Sequence, residues 1–334
     1  MSNQAAIVSS PEYHVPRFSS FTVLFIMIFA LHCSTSDQAK HFLIIHSFEE
    51  TLTREWFVDG VEQAADSLGV AIAILNQMSI PNKKNLDSLF KYAAGIGYSM
   101  PIQQKNLIDR INNVKKIPIV FFHEYDIKST PSFAIDTDSY TAGQTAARFI
   151  LQQFGQSGRF GIITSTLTNK ESNEKIRGFR DILFAKSNWK QVNIITCKEG
   201  DEQALRQYRY TTRFGNRIIW FVADDCDDFV NQLTHLKKDN FFIAVDLHPK
   251  KNSIKLSRDT FFDAVVLKDF QKMGELCVQE LQRQQQAPVE MENNILNCGC
   301  RLFTSEILAT HVQKEKNIHL KGDSSANEIL EQDI

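Results

Sequence analysis

Short apolar runs alternate with amphipathic stretches along most of the chain, and the alternation restarts once. His41 to Ile45 reads as a strand, and the polar loop Ser47 to Thr53 follows it. Phe57, Val61, Ala64, Ala65 and Leu68 then recur at the spacing of a helix face packed on a sheet, with Gly69 to end the helix. A second strand is expected at Val70 to Leu75, a short helix at Lys83 to Tyr92, and a weak third strand at Gly95 to Met100. Pro101 opens a helix that ends near Lys116, and Ile117 to Phe122 is apolar on both faces, as a buried parallel strand is. From Phe133 the same grammar resumes. Strands are predicted at Phe160 to Ile163, Gln191 to Thr196, Arg217 to Val222, Phe241 to Val245 and Ala264 to Leu267. Helices are predicted near Ser172 to Lys186, Glu202 to Phe214, Asp227 to Lys238 and Phe270 to Gln286, where Pro288 stops the last. Regular alternation of this kind predicts α/β structure with right-handed parallel crossovers, that is, doubly wound parallel sheets. Such sheets bind ligands at the carboxyl ends of their strands.

With 334 residues the chain is long enough for two α/β units, each with its own core. Its 37 basic and 39 acidic residues nearly cancel, which gives no electrostatic reason to expect nucleic acid as a partner. No helix-turn-helix pattern precedes Lys40.

Near the N-terminus, Arg17 precedes an apolar run from Phe21 to Leu31, eleven residues long. A membrane-spanning helix needs about 20, so the run suits the core of a signal peptide. Cys33 follows directly, as in a lipoprotein leader, although His32 stands where a small residue is usual. Export is therefore expected, to the periplasm or to a membrane-anchored lipoprotein form, with Cys33 as the lipidated residue. An uncleaved short anchor is the alternative. The remaining cysteines are Cys197, Cys226, Cys277, Cys298 and Cys300. Cys298-Gly299-Cys300 is too tight for the usual zinc spacing, so buried free thiols are expected, with a disulfide from Cys277 open.

The segment from Phe133 to Leu183 carries a resemblance. Asp138-Ser139-Tyr140-Thr141-Ala142-Gly143, then a strand, a polar loop and Lys175-Ile176-Arg177-Gly178-Phe179, is similar to the second-lobe entry of type I periplasmic binding proteins. Lactose-repressor-type sensor cores share that fold. The resemblance implies two doubly wound lobes joined by three chain crossings, near Ile135, Lys268 and Asn293. The first lobe would comprise residues 40–135 and 269–293, and the second 136–268 and 294–310. Residues 1–39 would be leader and spacer, and 311–334 a polar tail.

No serine-nucleophile elbow, phosphate-binding glycine loop or paired-histidine metal motif is present, and His123-Glu124 alone does not make a catalytic set. The chain is read as a binding protein, not an enzyme, with no cofactor and no metal. Gly95-Ile96-Gly97 is read as closing a helix rather than cradling phosphate. The candidate ligand shell is the polar ring at strand ends: Arg54, His123, Glu124, Asp138, Asn173, Asp224, Asp246 and Lys268. Each has a plainer reading. Asp138 stands where a helix N-cap belongs, Asp224 can cap the following helix, and Arg54 and Lys268 can be surface charges. Family sugar binders place carboxylates, an Asn, an Arg and a Gln at corresponding positions. Here His123-Glu124 and Lys268 depart from that pattern. The resemblance therefore implies a small polar solute, sugar or sugar-like and possibly charged, delivered by a monomeric protein to an ABC permease. The same fold also serves as the sensing partner of a membrane receptor.

Overall fold

The computed structural model describes residues 41–48, 51–76, 93–99, 117–123, 133–197, 202–213, 217–224, 226–237, 239–247, 261–287, 294–307 and 310. The leader with Cys33, the helices expected at Lys83–Tyr92 and Pro101–Lys116, Glu124 and the C-terminal tail lie outside these residues.

Two six-stranded sheets are built with the same strand order. The first contains β1 (His41–His46), β2 (Ala71–Asn76), β3 (Gly95–Tyr98), β4 (Ile119–Phe122), β5 (Phe133–Asp136) and β11 (Asn294–Asn297), ordered β2-β1-β3-β4-β5-β11 and parallel throughout. The second contains β6 (Ser157–Thr164), β7 (Asn188–Thr196), β8 (Ile219–Val222), β9 (Phe241–Val245), β10 (Ala264–Lys268) and β12 (Cys300–Thr304). Its order is β7-β6-β8-β9-β10-β12, and only β12 runs antiparallel to its neighbour. Four-residue strands such as β4 (Ile-Val-Phe-Phe) and β8 (Ile-Trp-Phe-Val) are buried at every position, as strands covered on both faces must be.

The helices are α1 (Thr51–Leu68), α2 (Ser139–Phe154), α3 (Lys170–Lys186), α4 (Glu202–Thr212), α5 (Asp227–Leu233) and α6 (Phe270–Gln286). In each lobe one helix pair packs at near backbone contact through glycines. A Cβ at Gly143 would fall on the Lys175 carbonyl oxygen, and one at Gly178 on that of Tyr140, so α2 and α3 approach through that pair. Gly60 and Gly274 do the same for α1 and α6, against Gln271 and Phe57. The apolar face of α2 (Ala142, Ala146, Ala147, Ile150) then closes on Phe160, Phe179 and Leu183 in one core cluster.

Two expectations need correction. Gly95 and Gly97 lie in β3, not at a helix end, and a Cβ on Gly97 would strike Cys277 of α6 and Ile44 of β1. They are small because α6 lies directly over the strand. The third crossing is not at Asn293. Asn294–Asn297 pairs with β5 in the first sheet, so the chain passes over at Cys298-Gly299, where Gly299 adopts φ 79°.

Candidate functional site: the facing strand ends

Three short passages join the sheets: Thr137-Asp138 after β5, Asp269 after β10, and Cys298-Gly299 between β11 and β12. The first leaves the carboxyl end of a strand in the first sheet and the second leaves the carboxyl end of a strand in the other. The carboxyl edges of both sheets therefore meet at this junction. Hydrogen bonds stitch the passages together. The Cys298 amide donates to the Asp136 carbonyl (2.9 Å), the Asp269 amide to the Gly299 carbonyl (3.1 Å), and the Thr137 hydroxyl to the same carbonyl (2.6 Å).

Lys268, the last residue of β10, belongs to this junction. Only 1% exposed, it extends its ammonium to the Asp136 carboxylate (2.5 Å) and to the His123 carbonyl (3.4 Å). It is an ion pair spanning the two sheets, with the ammonium buried and the carboxylate partly exposed.

On the first edge, His46 ends β1 and is 3% exposed, its ring stacked on Phe48 at 5.4 Å. Burial pushes its pKa down to about 4, and the nearby Arg54 charge adds to the effect. Arg54 itself is half-buried, one turn into α1. Ser47, next to His46 in sequence, shares a hydroxyl hydrogen bond of 3.1 Å with Ser99. His123 directly follows β4, with its ring 4.9 Å from Phe48 and 5.6 Å from Phe270. Among the described residues it is the one non-glycine with positive φ, at 64°. Backbone held in that region is costly and concentrates at functional sites.

On the second edge, Asp224 follows β8, and its carboxylate is surrounded by protein donors. Oδ1 accepts from the Ser165 amide (2.6 Å) and the Cys226 thiol (3.4 Å). Oδ2 accepts from the hydroxyls of Thr164 (3.0 Å), Ser165 (2.9 Å) and Ser172 (2.7 Å). A carboxylate offers about four lone-pair sites, so its accepting capacity is filled by the fold. Asp138 caps α2, taking the amides of Tyr140 (3.3 Å) and Thr141 (2.9 Å) and the Thr141 hydroxyl (2.5 Å). Asn169 is the cap of α3, while Asn173 turns its amide onto the Leu167 carbonyl at 2.7 Å and shapes the loop before that helix. Asp246 directly follows β9, partly buried, its amide bonded to the Val266 carbonyl at 3.0 Å.

His123, Asp246 and Lys268 thus stand at carboxyl ends of strands and Arg54 in the first turn of α1, while Asp138, Asn173, Asp224 and Lys268 have partners within the protein. Sequence reasoning left out His46 and the hydroxyls of Thr164, Ser165 and Ser172. The hydroxyls' only signal is a run of Ser and Thr from the end of β6 into α3, which becomes informative once β6 and β8 are known to be neighbours. Trp56 stacks on Phe303 of β12 at 4.7 Å and 9°.

A family model described as a periplasmic binding protein domain matches residues 102–287. The chain belongs to that family. Solved structures share its two-sheet fold across nearly their whole length. The arabinose-binding protein AraP of Geobacillus stearothermophilus is 19% identical with a TM-score of 0.62, the match covering 81% of this chain and 98% of AraP. The sugar-binding protein of a sugar ABC transporter from Bacillus halodurans is 18% identical at 0.59, over 80% and 98%. A mutant of the XylFII–LytSN complex gives 18% identity at 0.64, over 81% and 99%. No curated protein matches the chain in sequence. As a periplasmic binding protein domain the chain joins a family whose location is outside the cytoplasm.

Proposed function

We propose that this protein captures a small polar solute, sugar or sugar-like, between its two lobes and delivers it to an ABC importer. The observation that carries this reading is the meeting of both carboxyl edges at a junction of three passages. Open parallel sheets bind ligands at such edges, and three short passages allow one lobe to swing against the other. The arabinose-binding and ABC-transporter proteins of similar fold support it. Arg54, His123 and Asp246 are the side chains best placed to touch the solute, with Glu124 adjoining His123 in sequence. Asp138, Asn173 and Asp224 act as framing groups that hold the second edge in shape. The apolar run ending at Leu31 is read as an export signal and Cys33 as its lipid attachment point. A second reading, in which the closed form is handed to a sensor, draws on the likeness to XylFII in its complex with LytSN.

Thermal denaturation against a panel of pentoses, hexoses and their charged derivatives tests the proposal. A ligand that binds only the folded form raises Tm by mass action, so at least one saturable shift is expected. Silence across a broad panel would remove the solute-binding reading.

A further inference from the structure

We propose that Lys268 is a positioning residue for solute capture: its buried ammonium sets the angle at which the lobes rest, without touching the solute. The inference builds on the solute-binding reading above but concerns the ligand-free protein. Three observations combine. Lys268 ends β10 in the second sheet, whereas its partners belong to the first: Asp136 ends β5, and His123 directly follows β4. The ammonium is thus bonded across the junction to β4 and β5 together. The bonds from Thr137, Asp269 and Cys298 involve only residues of the passages and the end of β5, and a further polar tie from the second sheet, Arg301 of β12 to Gln271 of α6 at 3.1 Å, is exposed.

The second observation is His123. Its left-handed backbone, φ 64°, accompanies a carbonyl turned to Lys268, and its ring is wedged against Phe48 and Phe270. Phe270 opens α6, which follows Lys268 after a single residue, Asp269. The backbone and ring of His123 therefore both engage the segment where the chain re-enters the first lobe. The third observation is asymmetry of burial: Lys268 is 1% exposed while the Asp136 side chain is 26% exposed. Removing the lysine leaves a carboxylate that water reaches and that keeps the Thr137 amide at 2.8 Å. Removing the aspartate would strand a buried ammonium, which is the costlier break. Lys268→Met is consequently the informative variant.

Resting lobe angle is read by small-angle scattering of the ligand-free protein, which requires no knowledge of the solute. The expected result is a shift of Lys268→Met to a larger radius of gyration than wild type, with Lys268→Arg restored toward the wild-type value. Secondary structure by circular dichroism stays unchanged. Identical scattering from wild type and Lys268→Met would overturn the proposal, as would a shift that Lys268→Arg fails to restore. Should Lys268→Met not fold, the paired Lys268→Gln, Asp136→Asn variant removes both charges while keeping side chains that hydrogen-bond, and the same outcomes apply. A wild-type protein that ignores every sugar but shows the Lys268 effect would sink the solute reading and leave this one standing.

Discussion

The indole of Trp56 lies almost parallel to the ring of Phe303, 4.7 Å away at 9°. Trp56 belongs to α1, which packs with the first sheet, and Phe303 to β12 of the second, so the stack bridges the lobes. Trp189 and Trp220 both lie in the second sheet, 5% and 0% exposed. Of the chain's three tryptophans, Trp56 is the one that the proposed lobe motion would move relative to its ring partner. Solute-dependent tryptophan fluorescence is expected in wild type and expected to vanish in Trp56→Phe. Persistence of the signal in that variant would separate the stack from lobe motion. An offset aromatic pair contributes about 0.5–1.5 kcal/mol beyond its buried area, so Trp56→Ala should lower unfolding stability by at least that much in urea.

Asp224 is predicted to matter for the second lobe's stability. Asp224→Ala leaves the buried Ser172 hydroxyl without its acceptor, while Thr164 keeps the Thr166 carbonyl at 2.9 Å, and should cost about 1–3 kcal/mol, against a smaller loss for Asp224→Asn. Equilibrium urea unfolding distinguishes the two. If both variants unfold at the wild-type midpoint, the carboxylate is not the tie described here.

The glycine crossings offer a test of the packing. Gly143→Ala forces α2 off α3 and should destabilise by about 1–3 kcal/mol, as overpacking a close contact does. Gly274→Ala is predicted to do the same to α1 and α6 in the first lobe. Melting temperatures below wild type in both variants are the expected reading.

His46 ties stability to pH. Its folded pKa, about 4, lies below the ordinary 6.5, so the unfolded chain takes the proton first as pH falls. The contribution is complete above 6.5 and is lost progressively down to about 4, at about 1.4 kcal/mol per pH unit and on the order of 3 kcal/mol in all. His46→Gln should flatten that part of the stability profile relative to wild type. Parallel profiles for the two proteins between pH 6.5 and 4 would contradict the assignment.

Local signals proved readable, and distant partnerships did not. The α6 helix falls on Phe270–Gln286 as its periodicity and Pro288 imply, and Asp138 caps α2 as its place before Ser139 implies. By contrast, Asp224 finds its hydroxyl donors 52 to 60 residues away, and Lys268 its carboxylate 132 residues away. Position at a strand end marks such residues as candidates. Whether the side chain faces a solute or a neighbour is decided by strand order, which no local pattern carries. Gly60 and Gly274 were silent for the same reason, since each is explained only by the helix it touches. The crossing lies at Cys298-Gly299 rather than near Asn293 because a four-residue strand, Asn294–Asn297, carries little periodicity of its own.

Solution scattering with and without the sugar that raises Tm addresses the solute-driven closure most directly. A fall in radius of gyration on saturation is predicted, as the two carboxyl edges close over the bound molecule. An unchanged radius at saturating sugar would contradict it.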